Sequence, residues 1–260
     1  MPRRNRLETS ALEALVCLSF LCTGAIAQTA SNGSGWTGTL GGGPVFFPKY
    51  TGGKALQASP LPIAYVEYDG WFYVDLFRAG AYFWGSEDKK RGLSLAIEPR
   101  IGFHSSDGPR LAGMTARRSS LSGGLTYNAD GDWGSMSLGY FTDLSNASRG
   151  GYIDLLFDRT LLKEERWDVS GTVQLSRLDS KVVNYYFGVT PAEVAAGRAL
   201  YTPGASTNVT LWLTGQYNLT KRHALMFGAN VTRLGASAAS SPIVERRAVP
   251  LVYFGFGLNL

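Results

Sequence analysis

The chain has 260 residues, a formal charge of +5, 32 glycines and 12% aromatic residues. That length suits one domain or one barrel and excludes two domains of ordinary size. Beyond the first 27 residues no run of about 18 apolar residues occurs, so no transmembrane helix is available, and the only cysteines, Cys17 and Cys22, lie within those 27.

In chain order, the first element reads as a secretory signal peptide over 1–27. Arg3, Arg4 and Arg6 form its basic start, residues 14–23 its apolar stretch, and Ala25-Ile26-Ala27 the small-x-small site cleaved before Gln28. The expected mature chain, 28–260, carries +4 and has no cysteine, so a disulfide, a thiol nucleophile and a cysteine metal site are all excluded.

The rest of the chain is strand-like throughout. Segment 36–46 contains Gly41-Gly42-Gly43 ahead of Pro44 and Val45; with no helix N-terminus behind it to hold a phosphate, it reads as close strand packing. Segments 59–69 and 71–84 come next, and Gly80 marks a bulge or a break in the second. In 93–103, Leu93, Leu95, Ile97, Ile101 and Phe103 oppose Ser94, Ala96, Glu98 and Arg100. After 117–128, 133–142 and 150–161, the segment 167–175 sets Trp167, Val169, Val173 and Leu175 against Asp168, Ser170, Thr172 and Gln174. The only helix suggested is a short one over 190–199. Segment 209–219 again alternates, 223–234 comes after it, and from Val252 the face Val252, Phe254, Phe256, Leu258, Leu260 opposes Tyr253, Gly255, Gly257 and Asn259. That final strand resembles the C-terminal insertion signal of bacterial outer-membrane barrels, with Leu260 where Phe is usual.

These segments number eleven, whereas single-chain bacterial barrels have an even number of strands. The expected fold is therefore all-β, a single antiparallel transmembrane β-barrel of twelve strands, or ten if 36–46 does not span. Counting back from the last strand places 104–116, 143–149, 179–206 and 235–247 outside the cell and 129–132, 162–166 and 219–223 in the periplasm. Long connections fall on one side and short ones on the other, as this architecture requires. Trp71, Trp84, Trp133 and Trp167 sit at strand ends, where an indole can keep its body in lipid and its N–H in water.

Chemistry is sparse. Glu98, Arg100, Asp154 and Asp158 face the lumen, where opposite charges are expected to pair because an isolated buried charge is costly. His104-Ser105-Ser106-Asp107 faintly resembles the His-x-Ser-Asn signature of outer-membrane lipid A deacylases. Asp107 stands where Asn is expected, however, and Glu98 lies about two nanometres away at ~3.3 Å per residue. A polar strand end entering a loop is the better reading. His223 reads as a surface residue. Nucleotide, zinc-protease and serine-hydrolase fingerprints do not occur, and no catalytic, cofactor or metal residues are assigned. The basic residues form no nucleic-acid patch. Arg110, Arg117, Arg118, Arg246 and Arg247 fall on or beside external loops, as solvated charges or as contacts for lipopolysaccharide phosphates.

Two loop segments are more specific: Asn184-Tyr185-Tyr186-Phe187-Gly188-Val189-Thr190-Pro191-Ala192-Glu193 continuing to Tyr201-Thr202-Pro203, and Arg233-Leu234-Gly235 followed by Ser240-Ser241-Pro242-Ile243-Val244. With Tyr82-Phe83-Trp84 and the glycine-rich first strand, they resemble the MipA/OmpV family of outer-membrane proteins over nearly the whole mature chain. The resemblance implies a non-enzymatic outer-membrane scaffold that engages a murein lytic transglycosylase and a peptidoglycan synthase. A small-solute channel is the alternative, and a lipid A hydrolase a remote one. The candidate partner loop comprises Tyr185, Tyr186, Phe187, Gly188, Tyr201 and Pro242: exposed, its aromatics would suit an interface; folded inward, they would plug the barrel mouth. Its expected place outside the cell sits awkwardly with a periplasmic partner.

Overall fold

The computed structural model describes residues 35–88 and 90–260; the expected cleavage site, Ala27 and Gln28, lies outside them. Twelve antiparallel strands close into one barrel, each paired with its sequence neighbour. They are β1 Trp36–Pro48, β2 Leu56–Tyr68, β3 Phe72–Asp75, β4 Arg78–Gly85, β5 Arg91–Arg100 and β6 Ser120–Gly131. The second half comprises β7 Gly134–Asp143, β8 Gly151–Lys163, β9 Trp167–Leu178, β10 Ser206–Asn218, β11 His223–Arg233 and β12 Ala248–Asn259.

The period-two pattern is what makes this wall. Leu211, Leu213, Val173, Leu175, Phe254 and Phe256 are exposed on the outer face, while their neighbours Thr210, Asn208 and Tyr253 are buried inside. The barrel closes where β1 meets β12, from Thr39↔Asn259 to Phe46↔Val252. Backbones come very close there. A Cβ on Gly41 would stand 2.3 Å from the Phe256 carbonyl oxygen, and one on Gly43 would stand 2.1 Å from that of Phe254. The triple glycine is thus a packing device, as its strand context suggests.

The missing strand came from 71–84. This segment is two strands, β3 and β4, joined at Leu76-Phe77, with Leu76 in the left-handed region at φ 50°. The break falls before Gly80, which instead pairs with Tyr73 inside the hairpin. Because β3 has only four residues, it covers just Tyr65–Tyr68 of β2. The wall is therefore half-height at this point.

Two further expectations are corrected. Phe103 does not continue the outward face of β5. The strand ends at Arg100, and Phe103, bridged to Arg117, turns into a buried cluster. The helix lies not at 190–199 but at Ser180–Phe187 (α1), where the Asp179 carboxylate accepts a hydrogen bond from the Val182 N–H at 2.8 Å. Within 190–199 only Pro191–Glu193 forms a single 3-10 turn. A second short helix, Ala236–Ala239 (α2), comes after β11.

Apart from the β3–β4 turn, the short turns share one rim with the first residue of β1 and the last of β12, and the long connections share the other, the segregation expected from the sequence. Trp71, Trp84, Trp133 and Trp167 are all exposed at the short-turn rim, joined by Trp36, which packs against Tyr68 and Phe72. The sixth tryptophan, Trp212, faces the lumen.

Candidate functional site

The lumen holds a cavity of about 760 Å³. Its wall has two characters. On one side Arg78 donates from Nε to Glu98 Oε2 at 2.8 Å and from Nη2 to Asp154 Oδ2 at 3.1 Å. Glu98 also accepts from the Tyr152 hydroxyl, and Asp154 from Gln174 Nε2 at 3.0 Å. Thr172 donates to Asp158 at 2.6 Å. The Arg78 guanidinium lies 4.7 Å from the Phe141 ring centre, and that of Arg100 lies 4.7 Å from the Tyr152 ring centre. Glu98 and Asp154 thus pair, as their sequence pattern suggests, but with Arg78; among the described residues Arg100 and Asp158 form no ion pair. Arg78 is hidden in the sequence because it opens the strand concealed within 71–84.

The other side is apolar. Val45, Phe47, Leu61, Ile63, Met226 and Tyr253 form a buried cluster from β1, β2, β11 and β12, with Phe77, Trp212 and Leu251 packed on it. An apolar sector inside a barrel departs from the polar interior usual for such proteins.

A packed cap closes the long-connection rim. Its pivot is Glu193. Arg117 reaches both carboxylate oxygens, from Nη1 to Oε1 at 2.8 Å and from Nη2 to Oε2 at 2.9 Å. The N–H groups of Thr115 and Thr190 each donate to it at 3.0 Å, and the Thr190 hydroxyl donates at 2.9 Å. Thr190 and Glu193 make a reciprocal capping box, Thr-x-x-Glu, whose spacing is the sequence signal that could have identified this residue. Burial alone would push the Glu193 carboxyl up, but the hydrogen bonds from Arg117 and Thr190 outweigh it and hold it at about 2. Arg198 ties two connections together, donating to the carbonyl of Glu193 in its own and to those of Arg110 and Ala112 in the β5–β6 connection, at 2.8, 2.8 and 2.9 Å. Below them Tyr50, Phe103, Leu111, Met114, Val189 and Ile243 form one apolar cluster.

All six residues of the candidate partner loop belong to this cap. Tyr186 and Phe187, the last two residues of α1, are buried, and the Tyr186 hydroxyl lies 2.8 Å from Ser120 Oγ. Tyr185 accepts from Arg117 through its carbonyl and from the Arg118 N–H through its hydroxyl, both at 2.8 Å. Gly188 ends the helix, donating to the Asn184 carbonyl at 2.9 Å. The Phe187 carbonyl accepts from Ser241 at 2.6 Å, Tyr201 donates to the Ser237 carbonyl at 2.7 Å, and the Pro242 carbonyl accepts from Arg110 at 2.7 Å. The aromatics fold inward.

Of the external arginines, Arg117 is buried in the cap and so cannot meet a lipopolysaccharide phosphate; Arg110, Arg118 and Arg247 are exposed. His104 is 71% exposed, with Nδ1 3.8 Å from Asp107 Oδ2. Among the described residues no hydrogen bond links it to Ser106, so the hydrolase arrangement is not assembled. No His, Cys, Asp and Glu cluster capable of holding a metal occurs among the described residues.

A closed twelve-stranded barrel with an apolar outer belt and tryptophans at the short-turn rim is a β-barrel of the bacterial outer membrane. The family model described as "MltA-interacting protein MipA" matches residues 40–258, and the chain belongs to that family. It is also similar to outer membrane protein Omp26La of Vibrio anguillarum, 30% identical over 136 residues. That match covers 51% of each protein, so the chain spans about half the length of the curated relative it matches.

Proposed function

We propose that this outer-membrane protein is a non-enzymatic scaffold for the machinery of murein synthesis, engaged from the periplasmic rim. The observation that carries the reading is the cap. It occupies the extracellular mouth with interlocked side chains and leaves the turns of the opposite rim exposed, among them Asp132, Glu164, Glu165, Arg166, Lys221 and Arg222. The family description, which names an interaction with MltA, supports a murein lytic transglycosylase as one partner; a peptidoglycan synthase as the second rests on the family resemblance alone. This arrangement removes the conflict raised by the family's loop motifs. Tyr185, Tyr186, Phe187, Gly188, Tyr201 and Pro242 hold the cap, and the partner meets the other end. Cleavage between Ala27 and Gln28 completes the proposal, and N-terminal sequencing of the mature protein checks it.

The test is retention of a purified murein lytic transglycosylase on the tagged, detergent-solubilised barrel. Retention is expected, and it should weaken in a Glu164→Lys, Glu165→Lys variant. No retention under conditions that preserve a control complex sinks the scaffold reading. The cap also favours a barrel that does not conduct, so steady ion currents from the unaltered protein in planar bilayers would move the reading to a channel.

A further inference from the structure

The half-height hairpin leaves an opening in the wall. Above the Leu76-Phe77 turn, β2 from Leu56 to Ile63 pairs only with β1, and β5 beyond Glu98 only with β6, so the edges they turn towards each other have no strand partner. With two strands absent, the flanking strands stand about 14 Å apart, three spacings of ~4.8 Å. Overhead the gap is bridged, since Tyr50 of the first long-rim loop packs on Phe103 and against Gly108 of the second. The result is a window with a sill, two jambs and a lintel.

The window lies at membrane depth. Phe46, Phe254, Ile97, Ile101 and Leu121 around it are exposed on the lipid-facing side. It belongs to the long-connection half, hence to the outer leaflet. An open sheet edge bordering lipid is tolerated only where it also lines a cavity, and this edge is chemically blunted. The Ala64 carbonyl accepts from the Leu76 N–H, so even-numbered residues of β2 direct their backbone polar groups to the window. Two of these are Pro60 and Pro62, which have no N–H to leave unpaired. On the other jamb, the Leu121 carbonyl accepts from the Leu144 N–H and so points away from β5. Its register partner Pro99 therefore faces the window, again without a donor. Behind the opening lies the apolar lumen sector, with Phe47, Phe77, Trp212 and Leu251 lining the cavity. Lys49, Lys54 and Arg110 are exposed on the loops above it.

We propose that the window between β2 and β5 admits the acyl chain of an outer-leaflet amphiphile into the lumen. The chain lies along Phe77, Trp212 and Leu251, and an anionic headgroup rests on Lys49, Lys54 and Arg110. The site is continuous with the lipid-facing belt, and a cavity of about 760 Å³ is within the range that holds one such ligand. It is independent of the scaffold reading, because it uses the outer-leaflet half of the wall and none of the periplasmic turns.

Fluorescence quenching tests it. The barrel carrying Trp212 alone, the other tryptophans replaced by Phe, is reconstituted in bilayers of phospholipid with brominated acyl chains. Trp212 should be quenched nearly as strongly as the lipid-facing Trp71 retained alone. The control is Ser137→Trp with Trp212→Phe, which places the indole on the polar side of the same cavity and should stay bright. Trp212 left unquenched overturns the proposal. So does equal quenching at position 137, which would mean quenching through the wall. Quenching by a water-soluble brominated amphiphile alone also overturns it, since that would mean entry by the periplasmic mouth. Should the multiple variant not assemble, native mass spectrometry of the unaltered protein provides the second reading. A bound amphiphile should be retained and lost in Leu251→Asp, and its absence from the unaltered protein counts against the window.

Discussion

Replacing Glu193 by Gln should loosen the cap without opening the barrel wall. Five hydrogen bonds converge on the Glu193 carboxylate, two from Arg117, two from Thr190 and one from the Thr115 N–H. Glutamine keeps one acceptor but turns the other into an NH₂ group facing donors. It also leaves the Arg117 guanidinium, 9% exposed, without a counter-charge. Breaking one side of a buried pair costs about 3 kcal/mol or somewhat more, and 1.36 kcal/mol is a factor of ten. Cap opening should therefore become about 150-fold more frequent. Hydrogen exchange reads this directly. The amides of Val189, Tyr201 and Leu111, all bonded within the cap, should exchange about two orders of magnitude faster, while β9 and β10 keep their protection. Unchanged exchange in the cap of a correctly folded E193Q barrel would refute the claim that this carboxylate holds it.

The same carboxylate makes the cap acid-labile. Its pKa is depressed from 4.5 to about 2, so its contribution is complete above the unfolded value and lost as pH falls from about 4.5 towards 2. Cleavage of the cap loops by an acid protease should rise across that window and be flat in E193Q. Arg78→Ala leaves Glu98 and the buried Asp154 without their shared cation and should cost about 3 kcal/mol, read as a lower midpoint for heat-induced mobility change on gels. Gly43→Val meets the Phe254 carbonyl at 2.1 Å and should leave the barrel unclosed, so that little of the protein reaches the heat-modifiable form. Single cysteines at Asn146 and Asp132 should react differently with a membrane-impermeant maleimide on intact cells, the first labelled and the second protected; the reverse would invert the orientation.

The wall was legible because each lipid-facing position repeats every second residue. Leu211 and Leu213, or Phe254 and Phe256, declare their face through side-chain type alone. The β3–β4 hairpin was harder to see. Leu76-Phe77 is apolar, carries no Gly, Asn or Asp, and therefore looks like strand; only tertiary packing on the lumen cluster explains its left-handed turn. The helix at 180–187 was concealed by Val182, Val183, Tyr185, Tyr186 and Phe187, residue types favoured in strands, although Asp179 supplied a legible N-cap. Of the cap, the aromatic residues could be found by family likeness, but not their inward direction. That direction is set by partners far away in sequence: Ser120 for Tyr186, Ser241 for Phe187 and Arg117 for Glu193.

The glycine seam has a kinetic meaning. Eleven of the twelve strand pairings join sequence neighbours and can form as successive hairpins at small entropic cost. The twelfth brings Thr39 to Asn259, almost the whole chain apart, and such distant pairing is what slows β-protein folding. Until it forms, β1 and β12 both present unpaired edges, the surfaces most prone to pair with another chain. Gly41 and Gly43 let these two backbones come together without rearranging side chains at that late step, which makes the seam the barrel's point of commitment during assembly.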